Sequence, residues 1–132
     1  MRPMTPRTIV TSAVVTFAAL AGLTACGGDG DAAANTLPAD VGLEVDAGPG
    51  IRFAKDSYSA TAGDVLVALV NKDTQRHTML IVAEDGRTLP GHLEVAKSGA
   101  VETNEFTLEA GTYKLICDVP GHEAMKATLT VK

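Results

Sequence analysis

Tryptophan is absent from the 132 residues, and the other large aromatics amount to two tyrosines and three phenylalanines. Any core must therefore be built from Val, Leu, Ile and Ala, and a chain of this size supports one modest domain. Cys26 and Cys117 are the only cysteines, too few for a disulfide framework. No Gly-rich phosphate loop, no Ser/His/Asp arrangement and no internal repeat occurs. The acidic residues are dispersed, and no pair is placed for general acid–base work. No segment carries a long 3.6-residue stripe, which argues against a helical domain. Basic residues are also scarce. Arg2 and Arg7 lie in the N-terminal leader, which contains no acid, so the rest of the chain carries nine bases against sixteen acids, a net of −7. That balance excludes nucleic acid as an expected partner and permits a basic protein partner.

The one long apolar run, residues 8–22, follows a short basic stretch and is short for a membrane span. Leu23-Thr24-Ala25-Cys26 comes next and resembles the bacterial lipobox, in which the cysteine is acylated and becomes the mature N-terminus. Residues 1–25 are therefore expected to be a lipoprotein signal peptide. Residues 26–40, rich in Gly, Asp and Ala, form an expected flexible tether, and residues 41–132 a folded domain. The tether has a reach on the order of 20 Å. From these features the protein is expected outside the cytoplasm, held to a bacterial cell membrane by lipid on Cys26. In that oxidising compartment a lone exposed thiol is a liability unless capped, for example by metal.

From Val41 onward the pattern is that of strands. Leu43 and Val45 alternate with Glu44 and Asp46, Ile51-Arg52-Phe53 reads as a short strand, and residues 57–59 as an irregular edge. Residues 65–70 are almost wholly apolar, as in a central strand buried on both sides. Residues 77–83, 101–108, 113–117 and 126–131 complete the set, with turns at Gly48-Pro49-Gly50, Ala62-Gly63-Asp64, Glu84-Asp85-Gly86 and Ala110-Gly111. Residues 88–99 read as a short helix or a loose loop. The expected fold is all-β, a Greek-key β-sandwich of about seven or eight strands.

The chemistry concentrates between the last two strands. Tyr113, Leu115 and Cys117 share one face, Pro120-Gly121 turns the chain, and Ala127, Leu129 and Val131 return on one face. Cys117, His122 and Met125 thus lie within nine residues. A thiolate, an imidazole and a thioether form a soft donor set that favours copper over magnesium or calcium. A blue-copper site needs two histidines, one cysteine and a weak axial group. The second histidine is best supplied by His77, which opens the apolar run 78–82. Taken singly, His77 is a strand-end histidine and Met125 a gap-filling core methionine. His92 also follows Pro-Gly but has no thiol or thioether nearby in sequence, so it is read as a surface histidine, and Met79 as core packing behind the site.

In Cys-Asp-Val-Pro-Gly-His, followed by Met-Lys-Ala-Thr-Leu-Thr-Val, the chain resembles the small blue-copper proteins, the plastocyanin/azurin family of cupredoxins. The resemblance extends over about residues 41–132. It implies a mononuclear type 1 copper with His77, Cys117 and His122 equatorial and Met125 axial. It also implies electron transfer rather than an enzyme activity, a transient redox protein partner and a monomer. Non-redox copper buffering or delivery is the alternative. Two positions depart from the family: Thr78 stands where Asn or Ser is frequent, and only Glu123 and Ala124 separate His122 from Met125, where three or four residues are common.

The Leu-Thr-Ala-Cys box carries a prediction of its own. Wild-type protein is expected in the membrane fraction with acyl chains on Cys26, and Cys26→Ser without that acylation. Equal, unacylated membrane retention of both on fractionation and mass spectrometry would refute the anchor.

Overall fold

A computed structural model describes residues 36–132. The expected signal peptide, Cys26 and most of the expected tether lie outside the described residues. Eight strands form two facing sheets, and the described residues contain no helix. In chain order the strands are β1 (Leu43–Ala47), β2 (Ser57–Ala60), β3 (Gly63–Asn71), β4 (His77–Ala83), β5 (Leu93–Val95), β6 (Val101–Leu108), β7 (Gly111–Ile116) and β8 (Lys126–Val131). One sheet has the order β1-β3-β6 and the other β2-β8-β7-β4-β5. Pairing is antiparallel except for β1 with β3 and β2 with β8, which are parallel.

The alternation seen in the sequence becomes the two inner faces. Val65, Val67 and Leu69 of β3 and Phe106 and Leu108 of β6 meet Met79 and Ile81 of β4, Tyr113 and Leu115 of β7, and Ala127, Leu129 and Val131 of β8 in one core. Strand β3 is buried on its other face too, where Ala68 and Val70 pack with Val101 and the partly buried Val41. That double burial is why its sequence runs apolar without alternating. Tyr113 is tied down by its hydroxyl, which donates to the carbonyl of Glu109 four residues upstream (2.9 Å), the geometry of a tyrosine corner.

Two expectations are corrected. Ile51-Arg52-Phe53 is not a strand: only Phe53 bridges, to Ala47, while Ile51 and Arg52 are exposed. The chain is turned there by a bond from the Gly48 N–H to the Arg52 carbonyl, so these residues close a loop rather than extend a ladder. Within residues 88–99 there is neither a helix nor only loop, because Leu93–Val95 forms the edge strand β5 on the first half of β4. Three residues are too few for periodicity to register. Residues 57–59 do form an edge strand, β2, whose partner β8 lies at the far end of the chain.

Leu115 is fully buried, flanked in register by Ile81 on β4 and Ala127 on β8. Leu115→Ala is expected to destabilise the domain by about 2–5 kcal/mol, read from urea unfolding. A loss well under that range would show that β7 is not held at the centre of the sheet.

Candidate metal centre

The antiparallel β7–β8 register pairs Tyr113 with Leu129, Leu115 with Ala127 and Ile116 with Lys126. One step further, the Cys117 N–H donates to the Met125 carbonyl (3.3 Å), so the two residues close the base of a loop. Inside it the His122 N–H donates to the Val119 carbonyl (2.9 Å) and the Met125 N–H to the His122 carbonyl (2.8 Å). Gly121 sits between these turns at φ +90°, a backbone conformation that a residue with Cβ rarely takes. The Glu123 carboxylate accepts the Gly121 N–H (3.1 Å). The loop is thus shaped by its own backbone bonds, and they hold His122 inward.

The third member arrives from β4. Its pairing with β7 sets Ile81 beside Leu115 and Leu80 beside Ile116, which brings the start of β4 up to the end of β7. His77, the first residue of β4, shares the inward face of Met79 and Ile81, and all three are fully buried. One donor atom each from His77, Cys117 and His122 therefore lies within 4.8 Å of the others. The Cys117 Sγ to His122 Nδ1 distance is 3.7 Å, and the two imidazole centroids are 5.2 Å apart. A metal bound at ordinary lengths of about 2.0–2.1 Å to nitrogen and 2.3 Å to sulfur separates such a pair by roughly 3.8 Å in a trigonal plane. Both ring nitrogens of His77 are buried and neither makes an ordinary hydrogen bond, although an Asp73 carboxylate oxygen lies 3.5 Å from Nε2. A buried imidazole left unsatisfied is costly, and a metal ion would satisfy it. The donor set and its orphaned nitrogens thus fit a soft transition-metal ion.

Met125, the fourth residue singled out in the sequence, is fully buried and in the core cluster that also contains Cys117. Cys26 lies outside the described residues. His92 is largely exposed, as expected, yet its Nε2 is 3.7 Å from an Asp118 carboxylate oxygen, at the edge of the loop.

Three polar residues stand around the cluster, of which the sequence marks only Thr78, as a departure from the family's pattern. Asp73 presents its Oδ2 3.5 Å from His77 Nε2. The same oxygen accepts the Gly50 N–H (2.8 Å), and Oδ1 accepts the Thr74 N–H (2.6 Å). Those bonds, Gly50's foremost, hold the Asp73 carboxyl below its usual range. The approach needs Gly48, at φ +85°, because a Cβ there would stand 2.6 Å from Asp73 Cβ. A carboxylate near Nε2 favours the tautomer that protonates Nε2 and leaves Nδ1 bare for a metal. The other two are Thr78 and Asp118. Thr78 Oγ1 lies 3.4 Å from Cys117 Sγ, donates to Asp118 and accepts the Asp118 N–H (3.0 Å). The Thr78 bond is also the main reason the Asp118 carboxyl sits below its ordinary range. The position of Asp73 four residues before His77, and of Asp118 directly after Cys117, was a signal available in the sequence.

No protein-family model matches the chain, and no curated protein matches it. Solved structures do. Auracyanin A, a "blue" copper protein of Chloroflexus aurantiacus, is 22% identical with a TM-score of 0.58, over 67% of this chain and 96% of that one. An azurin, Az-iso2, of Methylomonas sp. strain J is 16% identical with a TM-score of 0.57, over 67% and 95%. Auracyanin B is 27% identical with a TM-score of 0.53, over 76% and 96%. The architecture is the cupredoxin β-sandwich.

Burial lowers the pKa of His77 from its ordinary 6.5; Asp73 partly opposes the shift and His122 adds to it. As pH falls through about 6.5 the unfolded chain takes up a proton before the folded one does, so the metal-free domain is expected to lose stability below that point. The lowered carboxyls Asp73, Asp118 and Glu123 act only further down, in the ordinary carboxylate range. Urea midpoints of the metal-free domain between pH 7 and pH 5 check this. His77→Gln should flatten the slope, and an unchanged slope would mean that His77 is not buried neutral.

Proposed function

We propose that this protein is a blue-copper electron carrier, with one copper held by His77, Cys117 and His122 and with Met125 as the weak axial donor. The observation that carries the reading is the buried trio at one end of the sandwich, its donor atoms converging and the His77 nitrogens unsatisfied. The likeness in fold to auracyanins and azurin supports it. Copper in such a set supplies one-electron redox chemistry.

The chain's own part is to hold the donors still. His77 is fixed at the head of a strand paired on both sides, with β5 and with β7. Cys117 and Met125 are clamped across the base of the loop, and His122 is held by two backbone turns. Ligands fixed in this way need little rearrangement when the charge at the site changes. His122 is the member nearest the loop surface, 6% exposed, beside the exposed Pro120 and the partly buried Val119. An apolar rim of this kind suits a brief encounter with a redox protein over a small interface. The acidic balance would steer a basic partner. The lipobox at Cys26 supports tethering by lipid to the outer side of a cell membrane. Copper buffering or delivery calls for donors that exchange, and the burial of all three favours the carrier instead.

Wild-type protein loaded with copper(II) is expected to show an intense thiolate-to-copper band in the visible. Cys117→Ser should lose the band and keep the β fold by circular dichroism, since the swap is nearly isosteric. Stopped-flow reduction should bleach the band and reoxidation restore it over repeated cycles with the metal retained. A copper(II) protein without the band overturns the site, and prompt release of metal on reduction turns the reading to copper handling.

A further inference from the structure

Thr78 follows His77 on β4, and its side chain is almost wholly buried. It meets the two residues that end β7, across a separation of 39 residues to Cys117 and 40 to Asp118. A hydroxyl has one proton to give. Here it has two claimants: the Cys117 sulfur, 3.4 Å away, and the Asp118 Oδ1, to which it makes a short bond. The carboxylate is the stronger acceptor, and the bond to it is charge-assisted. The second bond of the pair, from the Asp118 N–H into Thr78 Oγ1 at 3.0 Å, fixes the oxygen so that its proton points at the carboxylate. What the oxygen then turns toward the sulfur is a lone pair.

We propose that Asp118 is a positioning residue that acts through Thr78: it withholds the Thr78 hydroxyl proton from Cys117 and so keeps the thiolate electron-rich. The proposal rests on the copper–thiolate reading above. An electron-rich thiolate binds copper(II) better relative to copper(I), so the pair lowers the reduction potential of the site. The Asp118 side chain is 52% exposed, and its other neighbour is His92 Nε2, 3.7 Å from the same oxygen. The carboxylate can therefore be removed without opening the core. With it gone, the Thr78 hydroxyl needs only a rotation about its C–O bond to donate to the sulfur already beside it.

The difficulty in testing this is that removing any negative charge near the metal also raises a potential. A double-mutant cycle separates the two effects. Asp118→Ala is expected to shift the copper(I)-to-copper(II) affinity ratio toward copper(I) by roughly tenfold, with the thiolate band moving to shorter wavelength. In a Thr78→Val background, which has no proton to redirect, the same replacement should produce only a small fraction of that shift. Thr78→Ser keeps the hydroxyl and should restore the full response. If the Val variant does not fold, Thr78→Ala fills the same corner of the cycle. Equal shifts in both backgrounds would mean that charge alone is at work and would overturn the proposal while leaving the copper site intact. A wild-type protein that lacks the thiolate band overturns the copper reading, and this inference with it.

Discussion

Everything at the candidate metal centre hangs on where β7 lies. It is hydrogen-bonded on one edge to β4 and on the other to β8. Its inward residues Tyr113 and Leu115 are locked into the core, with the tyrosine also tied at its hydroxyl. A slip of one residue would turn that whole set outward and bury Lys114. The cost of that exchange fixes the register, and the register carries Cys117 to the end of the sandwich, facing the same way as Leu115. The donor cluster is thus a by-product of core packing, extended one step past the last ladder pair.

Two kinds of restraint then meet at one point. The loop from Cys117 to Met125 is local: its turns are bonded within a few residues, and its shape needs little beyond the clamp at its base. The approach of His77 is long-range. It depends on β4 lying between β5 and β7, and on the polar loop before it, where Asn71 donates to the carbonyls of Gln75 (2.7 Å) and Val95 (3.1 Å). A buried amide with its donors satisfied by two segments is a specific fastening, since each lost bond would leave an unpaired group in the interior.

The polar residues next to the donors divide the electrostatic work. Asp73 stands behind the imidazole of His77, where a negative charge supports the tautomer with a bare Nδ1. Thr78 stands beside the Cys117 sulfur, and its hydroxyl donates to the Asp118 carboxylate. Both acids look, in the sequence, like ordinary loop charges.

By itself the sequence determined the sandwich, the inner faces and the soft donor loop, because alternation, turn residues and ligand type are written in neighbours. Leu115, Cys117 and Ala127 were legible for that reason, and His77 was legible only through the need for a second imidazole. Tertiary structure alone decided the rest. The parallel pairing of β2 with β8 joins segments from opposite ends of the domain. Strand β5 is too short to leave a period and exists because β4 offers it an edge. The Thr78–Asp118 and Asp73–Gly50 contacts span 40 and 23 residues, and no local pattern encodes which side chains such a register brings together. A residue's type is local information, whereas its neighbours in space are set by packing of the whole core.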